Sequence, residues 1–327
     1  MSEEMAVGGA TSESVELPAP PAKQGRMNAG PPMSAPAGAV PTLGVRPQDC
    51  SCGGGAGGTC TCGATAAQAA IGFVYAIGTV TARFPNQSVE REFIQVWGRT
   101  NYSGPVSNKA MFEVLSQGQN IYLARSMCWI FQNESVDMYV LQPRSYVELT
   151  DFILALDDPI DKVTLDMIIG VRGGIAPPTM CNGTQLSIVV CDQVFTFTTE
   201  AFIQSIIDYA ASLGRIVTRA AAYNAFSILV KLTDNSGESD EHRAINYVTF
   251  KSLDIYVLET QLEADNFQLT SVTATPSSLS GARKIVNVIF TYTNTRSTEV
   301  QQYFTRVDVT GEFPFLVTGI SRFYNMP

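Results

Sequence analysis

The sequence contains a single histidine, His242, among 327 residues. Histidine is the side chain most often used for acid–base catalysis at neutral pH, so a Ser-His-Asp triad would have to be built on this residue. His242 opens a predicted helix, EHRAINYVTFKS, between Glu241 and Arg243, where we expect a solvated side chain. The sequence therefore predicts no catalytic residue and favours a protein that is not an enzyme.

Long apolar runs are also missing. The most apolar window, residues 64–82, is interrupted by Gln68, two glycines and three threonines, which does not suit a transmembrane helix. The N-terminus, MSEEMAVGGATSESVELPAPP, has no basic segment followed by an apolar one, so it does not resemble a secretory signal. These observations predict a cytoplasmic protein.

Positive charge is scarce. The chain has 21 basic and 30 acidic residues and a formal net charge of −9. A surface with this balance is repelled by phosphate-rich partners. We therefore expect neither nucleic acid nor an anionic membrane as a partner.

Large apolar residues are nearly absent from residues 1–49, which are rich in Pro, Ala, Gly and Ser. Such a segment buries too little surface to offset its ordering entropy. We predict a disordered tail or linker over residues 1–69 and one folded domain over residues 70–327.

A Cys/Gly-rich segment, residues 50–63, lies within this tail and reads CSCGGGAGGTCTCG. Cys50, Cys52, Cys60 and Cys62 could hold zinc as four thiolates, although the usual zinc spacing is C-x2-C rather than C-x-C. The same cysteines could instead be reduced and idle, or form a core peptide that an enzyme modifies. The metal site, with zinc as its cofactor, is thus one of three hypotheses.

Three further cysteines lie in the predicted domain. Seven cysteines without a signal peptide favour free thiols or metal ligands over disulfides. Cys128 lies in an apolar strand and is predicted to be a buried thiol. Cys181 and Cys191 could approach each other across a hairpin, but we predict structural thiols for both.

Periodicity predicts the secondary structure of the domain. Strands are expected over residues 73–84, 125–132, 136–143 and 163–171, with one or two more over 184–198, and helices are expected over 88–97, 108–117, 145–156, 199–213 and 217–232. Ser88 is the predicted N-cap of the first helix, and Ser145 with Glu148 forms a predicted capping box.

A change of period follows Asp265. Before it, Tyr247, Phe250, Leu253 and Val257 recur at helical spacing, which predicts a centrally packed helix. After it, three or four strands alternate with period two and indicate an antiparallel meander. The fold class is therefore α+β, with helices, a mainly antiparallel sheet and a C-terminal β-meander.

Four stretches, in order, resemble one family, the C-terminal domain of unknown function of the cyanobactin maturation protease PatG. They are FVYAIGTVTARFPNQSVEREFIQVW (73–97), ARSMCWIFQNESVDMYVLQPRSYV (124–147), EHRAINYVTF (241–250) and FTRVDVTGEFPFLVTGISRF (304–323). The protease domain itself is not represented. Where the family has a cysteine-containing stretch, this chain reads TPSSLSGARKIVNV (275–288), without cysteine.

The resemblance implies a non-catalytic accessory or scaffold domain in the maturation of ribosomally made, post-translationally modified peptides. The expected partners are a precursor peptide or a subtilisin-like maturation protease, with a homodimer as a further possibility. Two alternatives stay open. The Cys-rich segment is a substrate fused to its recognition domain, or the chain is a zinc-binding structural protein.

Overall fold

The computed structural model describes residues 72–99, 102, 104–157 and 163–324. Within them the chain forms nine strands and eight α-helices. The predicted tail (1–69) and its four cysteines, Cys50, Cys52, Cys60 and Cys62, lie outside the described residues. The tail and the zinc site therefore stay predictions.

Five strands close a small barrel in the order β1-β2-β3-β5-β4. They are β1 (Gly72–Arg83), β2 (Cys128–Asn133), β3 (Val136–Pro143), β4 (Thr164–Ile175) and β5 (Ser187–Thr198). All neighbours are antiparallel except β3 and β5, which run parallel. The parallel pair is possible because the chain crosses over between these strands through β4 and a long connection.

The strand β1 serves two cores because its side chains alternate between the two faces of the sheet. Val74, Ala76 and Val80 are buried inside the barrel. Tyr75 and Ile77 point outward and pack against a second core, made with the later helices and the C-terminal sheet.

Four helices, α1 (Gln87–Trp97), α2 (Asn108–Leu115), α3 (Ile121–Ser126) and α4 (Tyr146–Ala155), complete the barrel core. The predicted capping box of α4 is confirmed for Ser145 and Glu148. The N-cap of α1 is Asn86 and not Ser88, because the Asn86 carboxamide accepts the N–H groups of Ser88 and Val89 at 3.0 Å.

The residues just before β2 correct a second prediction. Arg125 and Ser126, predicted to begin a strand, end helix α3 instead. This helix has only six residues and no side-chain N-cap, so it lacks the signals by which a sequence marks a helix.

Helices α5 (Thr199–Ser212), α6 (Arg219–Leu232), α7 (Asp240–Lys251) and α8 (Asp254–Ala264) follow the barrel. The helix predicted to continue past Leu253 is broken at Ser252, whose backbone is extended. The break frees the carbonyl of Thr249, which accepts the Tyr256 hydroxyl at 2.6 Å. Ala244 and Val248 of α7 are fully buried in the second core, as predicted for a centrally packed helix.

The C-terminal meander is a four-stranded antiparallel sheet in the order β6-β7-β8-β9. Its strands are β6 (Phe267–Pro276), β7 (Ile285–Asn294), β8 (Val300–Asp308) and β9 (Phe315–Arg322). Val286, Val288 and Phe290 of β7 pack into the second core. The predicted α+β class, with a mainly antiparallel sheet and a terminal meander, is confirmed.

Arg243 joins helix α7 to this sheet. Its side chain is only 2% exposed, and its guanidinium donates hydrogen bonds to the carbonyl oxygens of Val309, Gly311 and Glu312. Asp240, one turn earlier, pairs with the same guanidinium at 3.3 Å. A buried arginine is tolerated here because four acceptors meet its two terminal nitrogens.

The cysteines differ from the prediction. Cys128 of β2 forms a disulfide with Cys181, so neither is a free thiol. The two Cα atoms are 5.3 Å apart although 53 residues separate them in sequence. The local sequence pattern around Cys128 could not reveal a partner so far away in the chain. Cys191 is a free, buried thiol, as predicted.

None of the helices in the described part of the chain is long and apolar enough to span a membrane.

Candidate functional site

The described residues form a cleft beside the β2–β3 turn, here called the polar cleft, with a volume of about 290 Å³. Its rim and floor include Ile77, Asn133, Glu134, Leu165, Asn235 and Phe250. Strands β1, β2 and β4 form one wall, and the α6–α7 loop (residues 233–239) with helix α7 forms the other. Amide and hydroxyl groups above an apolar floor are typical of a ligand site.

The β2–β3 turn shapes one side of the polar cleft. Glu134 and Ser135 have φ values of 45° and 68°, as a two-residue hairpin turn with right-handed strand twist requires. Asn133 precedes the turn and donates its side-chain amide to Asp234 and, at 3.3 Å, to the carbonyl of Asn235. The turn and the α6–α7 loop are thus tied together across the cleft.

The α6–α7 loop is held by two paired carboxamides. Asn235 Nδ2 donates to Asn246 Oδ1 at 2.8 Å, and Asn246 Nδ2 donates to Asn235 Oδ1 at 2.9 Å. Asn246 Nδ2 also donates to the Tyr75 carbonyl at 2.8 Å, and Asn235 Oδ1 accepts the Gly237 N–H at 2.8 Å. A buried polar network satisfied in this way fixes one loop conformation.

Gly237 brings the loop against strand β1. The Tyr75 N–H donates to the Gly237 carbonyl at 2.9 Å. A Cβ atom on Gly237 would lie 2.3 Å from the Tyr75 carbonyl oxygen, and φ at this residue is +70°. Both the close approach and the backbone angle therefore require glycine.

Tyr139 supports the same loop from strand β3. Its hydroxyl donates to the Ser236 carbonyl at 2.7 Å. Burial raises the pKa of Tyr139 to about 12, so the hydroxyl keeps its proton and stays a donor at neutral pH.

The charge of the polar cleft is acidic. Glu134 and Asp234 are its lining carboxylates, and no lysine, arginine or histidine lines it among the described residues. A phosphate or carboxylate ligand is disfavoured by this charge, whereas a neutral or cationic ligand is not.

His242 lies outside the polar cleft and is half-buried rather than solvated. Its Nδ1 lies 3.1 Å from the Ser236 hydroxyl, and its backbone N–H donates to Ser239 Oγ. No described carboxylate bonds the other ring nitrogen. A Ser-His pair without an orienting acid lacks the third member of a triad.

Two carboxyl groups with raised pKa values lie elsewhere in the domain, Glu259 fully buried and Glu312 partly buried. Burial raises the pKa of Glu259 in α8 to about 7. Burial, and next the neighbouring Asp192 carboxyl, raise the pKa of Glu312 to about 7. Within the described residues no group of three or more His, Cys, Asp or Glu side chains could hold a metal ion.

Sequence reasoning did not identify the residues of the polar cleft. The sequence predicts a turn at Asn133-Glu134-Ser135 and a loop at DNSGESDEH. It does not show that the turn and the loop lie next to each other in the fold. One signal was present: Asn246 is a polar residue at an apolar position of α7, and it is 2% exposed. A buried amide of this kind marks a network worth locating.

Sequence similarity links this chain to a known family. The model of the family described as the PatG Domain matches residues 73–288, which is most of the folded part of the chain. The chain belongs to the PatG domain family. The family resemblance predicted from sequence is thereby confirmed.

A solved structure described as "PatG Domain of Unknown Function" has the same fold. The superposition has a TM-score of 0.62 at 18% sequence identity and covers 77% of this chain and 98% of that one. No curated protein matches the chain. The family description carries no catalytic activity.

Proposed function

We propose that this domain is a non-catalytic binding module in the maturation of ribosomally made peptides of the cyanobactin type. In this proposal the polar cleft receives a segment of the precursor peptide. Membership of the PatG domain family supports the pathway. The observation that carries the binding function is the cleft itself, with polar groups fixed around an apolar floor.

The geometry suits binding better than chemistry. The lining side chains are held by one another and by main-chain groups, as the Asn235–Asn246 pair illustrates. Groups used in this way position a ligand without transferring protons or electrons to it. A maturation protease supplied as a separate protein, in the cytoplasm, would then carry out the cleavage.

Co-purification tests the proposal. The full chain is tagged and mixed with a cyanobactin-type precursor peptide, and separately with a subtilisin-like maturation protease. Val163 lines the polar cleft and is 69% exposed, so Val163→Trp fills the cleft without disturbing a core. We expect this change to weaken precursor binding at least tenfold.

Ile175→Trp is the matched control, because Ile175 is 70% exposed near the opposite end of strand β4. It should bind the precursor like the parent chain. Retention of neither precursor nor protease by the parent chain would refute the proposal. If the parent chain retained only the protease, or formed a stable homodimer, the binding function would be assigned to a surface other than the polar cleft.

A further inference from the structure

Strand β1 changes partners part-way along its length, and this leaves a gap beside the polar cleft. β1 pairs with β4 over Gly72–Gly78 and with β2 over Thr79–Arg83, with no register shift in either ladder. The edge of β1 that faces β2 is therefore not covered by β2 before Thr79.

The side to which each peptide group of β1 points is fixed by two hydrogen bonds. The Val80 N–H donates to Asp166 of β4 at 2.7 Å, and the Tyr75 N–H donates away from β4 to Gly237. Successive residues of a strand direct their N–H and C=O groups to opposite edges. The N–H and C=O groups of Tyr75, Ile77 and Thr79 therefore all point toward the β2 side of the strand.

Tyr75 and Thr79 find partners on that side. Tyr75 bonds Gly237 and Asn246 of the opposite wall, and Thr79 opens the ladder to Gln132 of β2. Ile77 lies between them. No described residue pairs with its N–H or C=O group on this edge.

The β2–β3 turn explains the gap. Continuing the β1–β2 register by two residues would bring Glu134 opposite Ile77. Glu134 instead adopts a positive φ and begins the turn toward β3. The β1–β2 ladder therefore ends at Thr79 and does not include Ile77. Ile77 lines the polar cleft, and its N–H and C=O groups have no partner on the β2 side among the described residues.

Building on the function proposed above, we infer that the polar cleft takes a neutral or basic peptide in extended conformation, one residue of which pairs with the main chain of Ile77. Such pairing supplies two hydrogen bonds to main-chain groups that have no partner among the described residues. The apolar floor, with Leu165 and Phe250, accommodates one apolar side chain of the peptide. Glu134 and Asp234 favour a cationic residue next to it.

Synthetic hexapeptides test this inference with the full chain. The probe is acetylated and amidated, with alternating valine and serine, and ends in lysine; a second version ends in glutamate. In a third series, each backbone N–H is replaced in turn by N-methyl. Affinity is measured by calorimetry, and exchange of the Tyr75 and Ile77 amides is followed at single-residue resolution.

We expect millimolar or tighter binding of the lysine peptide and weaker binding of the glutamate peptide. N-methylation at the pairing residue should cost roughly threefold to tenfold in affinity, as expected for one lost hydrogen bond. The Tyr75 amide should be protected with and without peptide, and the Ile77 amide only with it.

Two results would overturn the inference. One is binding that no single N-methyl group weakens, or that leaves the Ile77 amide unprotected. The other is no binding of any hexapeptide. In either case capture of the whole precursor by the parent chain, lost in Val163→Trp, would still stand as evidence for the proposed function.

Discussion

Glu259 places a carboxyl group inside the second core, between helix α8 and strand β7. The residue is 1% exposed. The Tyr292 hydroxyl faces this carboxyl and offsets part of the effect of burial on its pKa. Neither Glu259 Oε2 nor the Tyr292 hydroxyl has a partner of good hydrogen-bond geometry in the described part of the chain, so the neutral acid is the form that this site prefers.

Glu259→Gln should therefore change the pH dependence of stability. The pKa of Glu259 rises from its ordinary 4.5 to about 7 on folding, so its stabilisation is complete below pH 4.5 and is lost as the pH rises through 7. The free energy of unfolding of the parent chain should fall by about 3 kcal/mol relative to the variant between pH 4.5 and 8. Urea unfolding at several pH values measures this.

Glu113→Gln is the control for this change, since Glu113 is exposed on helix α2 and is not among the groups that shift the pKa of Glu259. Its pH profile should follow that of the parent chain. If Glu259→Gln also followed the parent profile, burial of Glu259 would not control its ionisation. Glu312 contributes to all three proteins and cancels in the comparison.

Residue-scale prediction from sequence succeeded where the partners are close in the chain. The capping box joins Ser145 and Glu148, which are three positions apart, and was predicted in full. The Cys128–Cys181 disulfide was not, because 53 residues separate the two and only the fold brings them together. The partners of Asn246 were not predicted either, because Asn235 and Tyr75 lie 11 and 171 residues away from it in the sequence.

At the scale of elements, the α6–α7 loop behaves as a replacement for the missing length of β2. It bonds Tyr75 on the β1 edge that β2 does not reach, and it forms the wall of the polar cleft. Its docking depends on Gly237, where both space and φ exclude a side chain.

Gly237→Ala should destabilise the domain and loosen this loop. The left-handed φ alone costs about 1 to 2 kcal/mol for alanine, and the clash with the Tyr75 carbonyl adds to it. We expect a total loss of roughly 3 kcal/mol or more, with faster exchange of the Tyr75 amide. Chemical denaturation and amide exchange measure the two effects.

Gly214→Ala separates the two causes. Gly214 has the same φ of +70°, but no atom lies within 4 Å of the position of an added Cβ. It should show the backbone cost alone and leave the Tyr75 amide unchanged. Equal losses in the two variants would mean that the α6–α7 loop yields to a methyl group at no cost.

Periodicity predicted most elements because local patterns form them. The alternation in β1 and in the terminal meander, and the apolar spacing of α5 and α6, correspond to the observed structure. Periodicity could not predict the closure of the barrel or the parallel β3–β5 pair, because each joins segments more than forty residues apart in the sequence. The polar cleft depends on that closure and could not be predicted either.

At the scale of the whole molecule, the Cys128–Cys181 disulfide is a covalent link between distant parts of the barrel layer. Cys128 begins β2, and Cys181 lies in the connection between β4 and β5. Disulfides are uncommon in reducing cytosol. Because the proposed location is cytoplasmic, the redox state of Cys128 and Cys181 should be measured.

Reduction should lower the free energy of unfolding by about 4 kcal/mol, the chain-entropy value for a loop of this length. The experiment compares urea unfolding of the parent chain with and without reductant. Peptide mapping without reductant should recover Cys128 and Cys181 in one cross-linked fragment.

The double variant Cys128→Ser, Cys181→Ser controls for the other cysteines. Its stability should match that of the reduced parent chain and should not respond to reductant. A parent chain equally stable in both redox states would show that packing around β2 holds this region without the bond.

The buried guanidinium of Arg243 helps to define the C-terminal boundary of the folded domain. The family match stops at residue 288, inside β7, whereas the carbonyl oxygens that receive Arg243 belong to residues 309, 311 and 312. A protein cut at the limit of the match would keep the charge and lose its three main-chain acceptors, with only Asp240 left as a partner. The folding unit of this chain therefore includes the last two strands, and its C-terminal boundary follows from the contacts of this arginine rather than from the extent of the family match.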